Sequence, residues 1–360
     1  MLMTGKYITN DENKHALTNC IKNLILSSKE YIKISSFLIQ DAGIVDLLKD
    51  LSSTGKIAVF LISNKKNQES EEYIESVVNS KEKENSGKSV GFDNHGKFLK
   101  EFYYSGIHVH LLDNLHAKFI ISDGRKGLIM SANLAPNSLG RNVESGIEIY
   151  GDDVKQLEYV FDNMYKHADI VRYQGSFRKD VTVKVDNKLL PNKVEHINGN
   201  IKLTIASSYN SNLSLCKVNT IYSSIIDIIN RAQEYLYIVT WHFKLNENAL
   251  DEFICAVKKA IDRGVKVNLY SNTKTDVPSL KSSLKAINKL ERLGCRSYGD
   301  DKNHSKCVIS ESEGILFTAN IDGISGMLSG FEVGYIMNNE QRIDAKRHIE
   351  RAIKITKYGK

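Results

Sequence analysis

A chain of 360 residues with 41% hydrophobic and 26% charged side chains can bury a sizeable core, which excludes a disordered or low-complexity protein. Lys and Arg outnumber Asp and Glu by 49 to 43, a net charge of +6 that suits a polyanionic partner without singling one out. The five cysteines, Cys20, Cys216, Cys255, Cys295 and Cys307, form no C-x-x-C pair. The opening MLMTGKYITN is too short and polar for a secretion signal, and no window approaches the ~20 apolar residues of a spanning helix. The expectation is a soluble cytoplasmic protein with reduced thiols and no transmembrane segment.

In chain order, residues 11–28 have helical apolar spacing, and YIKISSFLI after them has the pattern of a strand. IVDLLKDL predicts a helix, and IAVFLIS, after Gly55, a buried strand. Residues 65–94 are polar and charged and read as a solvated helix and loop outside any repeat, with a substrate-contacting lid as the alternative. The segment 170–215 holds Pro191 and the strand-like VTVKV and IKLTIAS, and reads as a connection. The order then recurs. A helix in VNTIYSSIIDIINRA leads to the strand YLYIVTW, and a helix in ALDEFICAVKKAIDR stops at Gly264 before the strand VKVNLYS. Tyr31 and Phe37 match Tyr235 and Trp241, Ser63-Asn64 matches Ser271-Asn272, and Gly106 matches Gly294. Strands alternating with helices, twice over, predict an α/β pseudo-dimer made by duplication.

HAKFIISD at 116–123 and HSKCVISE at 304–311 carry the same polar spacing once in each half. His-x-Lys alone is weak in a lysine-rich chain. Two further copies, His95-Gly-Lys97 and His242-Phe-Lys244, lack the acid five residues on and read as coincidences, although His242 ends a strand and is a candidate to line a cleft. The other two each precede a hairpin, closed by LIMSAN and by ILFTAN. A four-residue turn at 123–126 would pair Lys118 with Ser131 and His116 with Asn133. A three-residue turn at 311–313 would pair Lys306 with Thr318 and His304 with Asn320. Either register gathers four polar side chains on one face, which suits the floor of a site better than a core. Glu144 follows His116 by 28 residues and Glu332 follows His304 by 28, and a carboxylate there can take the Nδ1 proton of a histidine.

These residues resemble the phospholipase D superfamily, whose signature is His-x-Lys-x4-Asp, then a small residue-x-Asn and a later acid. His116, Lys118, Asp123, Ser131, Asn133 and Glu144 match it position by position. His304, Lys306, Glu311, Thr318, Asn320 and Glu332 depart from it at Glu311 and Thr318. The resemblance implies two α/β halves, 1–169 and 216–360, joined by 170–215, each a mixed sheet flanked by helices. It also implies metal-independent phosphodiester cleavage through a phosphohistidine, with no cofactor. His116 is then the nucleophile and His304 the general acid and base, while lysines, asparagines and hydroxyls hold the phosphate. A nuclease-like enzyme acting on nucleic acid, DNA first, is expected; a phospholipid hydrolase or transferase is the alternative and an inactive scaffold the third reading. One chain completes the site, so no homodimer is required. Glu311, longer than aspartate, is expected to bring a different turn or a weaker supporting contact.

Overall fold

The computed structural model describes residues 5–64, 94–112, 114–173, 180–183, 199–205, 218–245, 250–273, 278–323, 326–328, 330–355 and 358–359. Apart from its last residue, the charged stretch 65–94 lies outside them. The first half runs β1 (Tyr7–Thr9), α1 (Ala16–Ser27), β2 (Tyr31–Ser36), α2 (Ala42–Ser53), β3 (Ala58–Asn64), α3 (Asn94–Tyr104), β4 (His108–Leu112), β5 (Phe119–Ser122), β6 (Lys126–Met130), α4 (Pro136–Gly140), β7 (Ser145–Tyr150), α5 (Asp152–His167), β8 (Asp169–Tyr173) and β9 (Asp180–Val183). The second runs β10 (Ile201–Ile205), β11 (Val218–Asn219), α6 (Thr220–Arg231), β12 (Tyr235–Val239), β13 (Phe243–Lys244), α7 (Asp251–Asp262), β14 (Lys266–Ser271), α8 (Pro278–Arg292), β15 (Arg296–Gly299), β16 (Cys307–Ser310), β17 (Gly314–Phe317), β18 (Ile321–Asp322), β19 (Phe331–Ile336), α9 (Asn339–Ile355) and β20 (Tyr358–Gly359).

Two nine-stranded mixed sheets result, in the orders β1-β7-β6-β5-β2-β3-β4-β8-β9 and β11-β10-β19-β17-β16-β12-β14-β15-β20. Seven consecutive strands of one match seven of the other, with the parallel run β2-β3-β4 mirrored by β12-β14-β15. IKLTI, within the stretch read as a connection, is β10 and pairs antiparallel with β19 in the second sheet, as β1 does with β7 in the first. Local chemistry explains several ends. Asp41 caps α2 by accepting from Ile44 N–H at 2.9 Å, and Asn219 caps α6 from Tyr222 N–H at 3.2 Å. The helix expected over 11–28 begins later, because Asn13 takes His15 N–H on its side chain and Ala16 N–H on its carbonyl, closing a turn first.

Side-chain alternation splits each sheet between two cores. In the first hairpin Ile120 and Leu128 face the outer core with α1, α2 and α3, whereas Phe119, Ile121 and Ile129 face a core shared by both halves. That shared core also takes Phe161 from α5, Ile309 and Leu316 from the second hairpin, and Ala345 and Ile349 from α9. The last helix of each half reaches across the seam. Tyr335 Oη and Asn200 Nδ2 donate to Asp153 on α5, while α9 brings Arg351 to Asp11 at 2.7 Å and His348 to Tyr7 at 2.8 Å.

Both hairpin registers differ from the sequence expectation by one residue. Ser122 faces Lys126, so the first loop has three residues, and Lys118 lies opposite Met130 rather than Ser131. Asp123 and Gly124 take left-handed φ values of 52° and 61°; a Cβ on Gly124 would come within 2.8 Å of the Tyr31 hydroxyl. In the second hairpin Ile309 faces Gly314 and Ser310 N–H bonds to Glu313 O, leaving a two-residue turn and setting Lys306 opposite Phe317, not Thr318. The difference of one residue between the turns survives, but the polar side chains are not gathered by strand register. They converge beyond the strand ends, where the halves meet.

Candidate active site

The seam is stitched by two parallel bridges, Leu115 with Phe331 and Val143 with Asn303. The Phe331 carbonyl accepts from the N–H groups of His116 and Ala117 at 3.0 and 2.8 Å, and the Val143 carbonyl accepts from His304 N–H at 2.9 Å. Each motif histidine therefore enters the site with its backbone held by the opposite half, one residue before that half's glutamate.

The side chains follow the same crossing. His116 Nδ1 is 2.7 Å from Glu332 Oε1, and His304 Nδ1 is 3.0 and 3.1 Å from the two oxygens of Glu144. Both glutamates are fully buried. An ionised carboxylate only accepts, so it orients Nδ1–H toward itself and turns Nε2 outward. The 28-residue spacing within each half is real but is not the contact: each glutamate serves the other half's histidine. The hydroxyls, expected on the phosphate, are used here as well. Ser131 donates to Glu144 Oε2 and Thr318 to Glu332 Oε2, both at 2.5 Å, while Ser145 N–H and Val333 N–H donate to those hydroxyl oxygens.

Lys118 and Lys306 are fully buried, and each donates to the carbonyl of its own motif histidine, at 2.8 and 2.9 Å. Lys306 Nζ also lies 3.1 Å from His304 Nδ1. Asn133 and Asn320 are buried just past β6 and β17. Two lysines, two histidines and two asparagines thus stand on one seam, with the carboxylates orienting the rings.

Asp123 and Glu311 lie outside this set. Asp123 accepts from the N–H groups of Lys29, Glu30 and Tyr31 at 2.9, 2.9 and 3.0 Å, and Glu311 accepts from Gln233, Glu234 and Tyr235 at 3.0, 3.2 and 3.5 Å. Each ties its hairpin loop to the start of the neighbouring antiparallel strand, β2 in the first half and β12 in the second. The extra methylene of Glu311 spans what the shorter second turn does not, so the departure from aspartate keeps the three acceptor contacts at slightly greater length. Burial raises both carboxyls, but the backbone donors outweigh it and hold each below the usual carboxylate range.

Sequence reasoning missed several supports. Phe37 packs edge-on against His116 with ring centroids 5.4 Å apart, and Trp241 lies 5.5 Å from His304. The Phe37/Trp241 match was the available signal. Asn272 donates to the carbonyls of Asp301 and Asn303, tethering the loop that delivers His304. His242 lines no open cleft: it is buried, with Nε2 3.2 Å from Asp322, and its ring contacts Trp241. His95 accepts Ile39 N–H at 3.2 Å. Among the described residues no group of three or more His, Cys, Asp or Glu side chains is arranged to hold a metal, and no helix is long and apolar enough to cross a membrane.

Two mixed α/β halves with crossed His–Glu pairs on their seam define a duplicated His-Lys-Asn phosphodiesterase scaffold. The family model described as "Cardiolipin synthase, PLD-like domain" matches residues 21–165 and 225–353, and the chain belongs to this phospholipase D superfamily. No curated protein matches the sequence. Among solved structures, phosphatidylserine synthase of Haemophilus influenzae Rd KW20 is 12% identical with a TM-score of 0.64, over 100% of this chain and 88% of that one. Polyphosphate kinase from Porphyromonas gingivalis is 12% identical with a TM-score of 0.55, over 98% of this chain and 50% of that one. A phospholipase D family member, Nuc, from Salmonella typhimurium is 14% identical with a TM-score of 0.38, over 47% of this chain and 99% of that one. The first two likenesses show the fold, and the comparisons do not favour the nuclease branch expected from the sequence over the lipid branch.

Proposed function

We propose that this phospholipase D-superfamily phosphodiesterase cleaves nucleic-acid phosphodiesters through a phosphohistidine on His116. The observation that carries the chemistry is the crossed pairing, which gives each histidine one oriented ring nitrogen and makes neither half sufficient alone. His116 Nε2 attacks phosphorus, and the bond to the leaving oxygen breaks as His304 supplies a proton. His304 then removes a proton from water, whose oxygen attacks phosphorus and releases His116. Lys118, Lys306, Asn133 and Asn320 stabilise the charge on the non-bridging oxygens.

The asymmetry of the pairs supports this division of roles. His116 Nδ1 faces Glu332 at 2.7 Å, which leaves the lone pair on Nε2. His304 sits between Glu144 and Lys306. With Nδ1–H directed at Glu144, the His304 proton that can be transferred is the one on Nε2, the position a general acid needs.

Nucleic acid is supported by the net charge of +6. The second reading, a phospholipid headgroup phosphodiester, is supported by the name of the matching family and by the full-length fold likeness to phosphatidylserine synthase. The test is cleavage of end-labelled single- and double-stranded DNA in excess EDTA, wild type beside His116→Asn. Cleavage by wild type alone supports the proposal. Absence of cleavage, with turnover of dispersed phospholipid, replaces it with the lipid reading.

A further inference from the structure

Beside the seam lies a cleft of about 350 Å³ that the proposed chemistry does not use. Its lining includes Asn10 and Val143, together with the cations Lys14, Arg141 and Lys302. Asn10 is buried and fixed on both sides, its amide donating to Ser138 O at 3.2 Å and accepting from Glu144 N–H at 2.7 Å. Val143 N–H donates to Lys302 O at 2.8 Å, so both halves contribute to one wall.

Charge and position suit an anion. Lys14, Arg141 and Lys302 are exposed, and among the described residues none has a carboxylate at ion-pair distance. Of the two acids on the lining, Asp11 is taken by Arg351 at 2.7 Å, which leaves the cations in excess over Asp301. Lys302 is two residues from His304, no more than about 7 Å between Cα atoms. Val143 is the residue before Glu144, the partner of that same histidine.

Among the described residues the cationic rim is found beside His304 and not beside His116. The segment 321–331, which corresponds to the turn carrying Arg141, contains no Lys or Arg, and the position matching Lys302 is Asn114. Arg141 and Lys302 beside His304, where the matching positions of the other half carry no cation, give the duplicated scaffold a means to distinguish the two ends of its substrate.

We infer that this cleft is a second phosphate subsite, which holds the phosphate next to the scissile one on the leaving fragment of a nucleic-acid strand. The placement rests on the roles proposed above, since His304 protonates the leaving oxygen and the cleft adjoins His304. Arg141 supplies a forked donor, Lys14 and Lys302 supply point charges, and the Asn142 amide on the same wall supplies a neutral donor.

The experiment measures calorimetric affinity in a His116→Asn background for a thymidine dinucleotide without terminal phosphate, with a 5′-phosphate and with a 3′-phosphate. One terminal phosphate, that on the leaving fragment, is expected to tighten binding about 10-fold, and Arg141→Ala with Lys302→Ala to abolish the gain without weakening the unphosphorylated dinucleotide. Equal affinities for all three, or a gain that survives both substitutions, overturns the subsite. A nucleoside diphosphate sugar forms the other arm. If the two substitutions weaken its binding and not that of the dinucleotides, the second phosphate belongs to a diphosphate and the strand assignment is overturned. Wild-type turnover of bis(p-nitrophenyl) phosphate is recorded alongside; its absence would remove the phosphodiesterase mechanism and leave the binding result to stand on its own.

Discussion

If each glutamate serves the other half's histidine, Glu332→Gln and Glu144→Gln must impair different steps. When His116 takes phosphorus, its ring becomes cationic, and the buried Glu332 carboxylate 2.7 Å away is the counter-charge. Glutamine keeps the shape and can still accept Nδ1–H through its carbonyl, but the charge is gone. Losing one charge-assisted hydrogen bond at a dry site costs about 3 kcal/mol, or roughly a hundredfold in the rate of phosphoenzyme formation. With bis(p-nitrophenyl) phosphate the leaving group needs no proton, so Glu144→Gln, acting through His304, leaves the first step intact and slows only hydrolysis. Stopped-flow measurement of p-nitrophenolate separates the two. Glu144→Gln keeps a burst followed by a slow steady state, and Glu332→Gln loses the burst. The reverse pattern, with the burst lost in Glu144→Gln alone, would refute the crossed assignment.

Four further outcomes follow from the structure. Glu311→Asp on the two-residue turn cannot reach all three N–H groups of residues 233–235, and should lower stability by about 1 kcal/mol in urea unfolding. Asp123, held below the ordinary carboxylate range once its backbone donors outweigh burial, adds stability above the unfolded carboxylate pKa that is lost as pH falls through the lowered folded value. Asp123→Asn should accordingly flatten the acid limb of the stability curve. Burial lowers the imidazole of His348 to about 4. The unfolded chain therefore takes up a proton near pH 6.5 that the folded protein refuses, and stability falls by about 3 kcal/mol between pH 6.5 and 4; His348→Gln should remove most of that slope. Phe161, 1% exposed and edge-on to Phe119 at 6.2 Å, fills the core shared by both halves. Phe161→Ala should cost about 3–5 kcal/mol and lower one common calorimetric transition rather than one of two.

Much of this was legible in the residues because duplication prints the same spacing twice. The repeated His-x-Lys, the small-x-Asn and the two glutamates 28 residues on located the seam, and the Ser63-Asn64/Ser271-Asn272 match marked two strand ends, of which Asn272 tethers the loop that delivers His304. Three things were not legible. Hairpin register depends on loop length, and an aspartate in left-handed conformation closes a three-residue loop that the sequence equally allows to be four. The equal spacing in each half fits a glutamate paired within its half as well as across the seam; the bridges at Phe331 and Val143 decide it. The hydroxyls Ser131 and Thr318 are chemically suited to phosphate or carboxylate, and only the 2.5 Å contacts show the latter. The helices Asp152–His167 and Asn339–Ile355 were also missed, although Asp152 and Asp153 in the first turn and Lys166 and His167 in the last suit the dipole of the former.

The most direct test of the account is to trap the phosphoenzyme. Wild type, His116→Asn and His304→Asn are mixed with excess bis(p-nitrophenyl) phosphate, quenched in alkali to preserve phosphohistidine, digested and sequenced by mass spectrometry. The account predicts a phosphoryl adduct on His116 in wild type, its accumulation in His304→Asn and none in His116→Asn. An adduct on His304, or one that persists in His116→Asn, would contradict it.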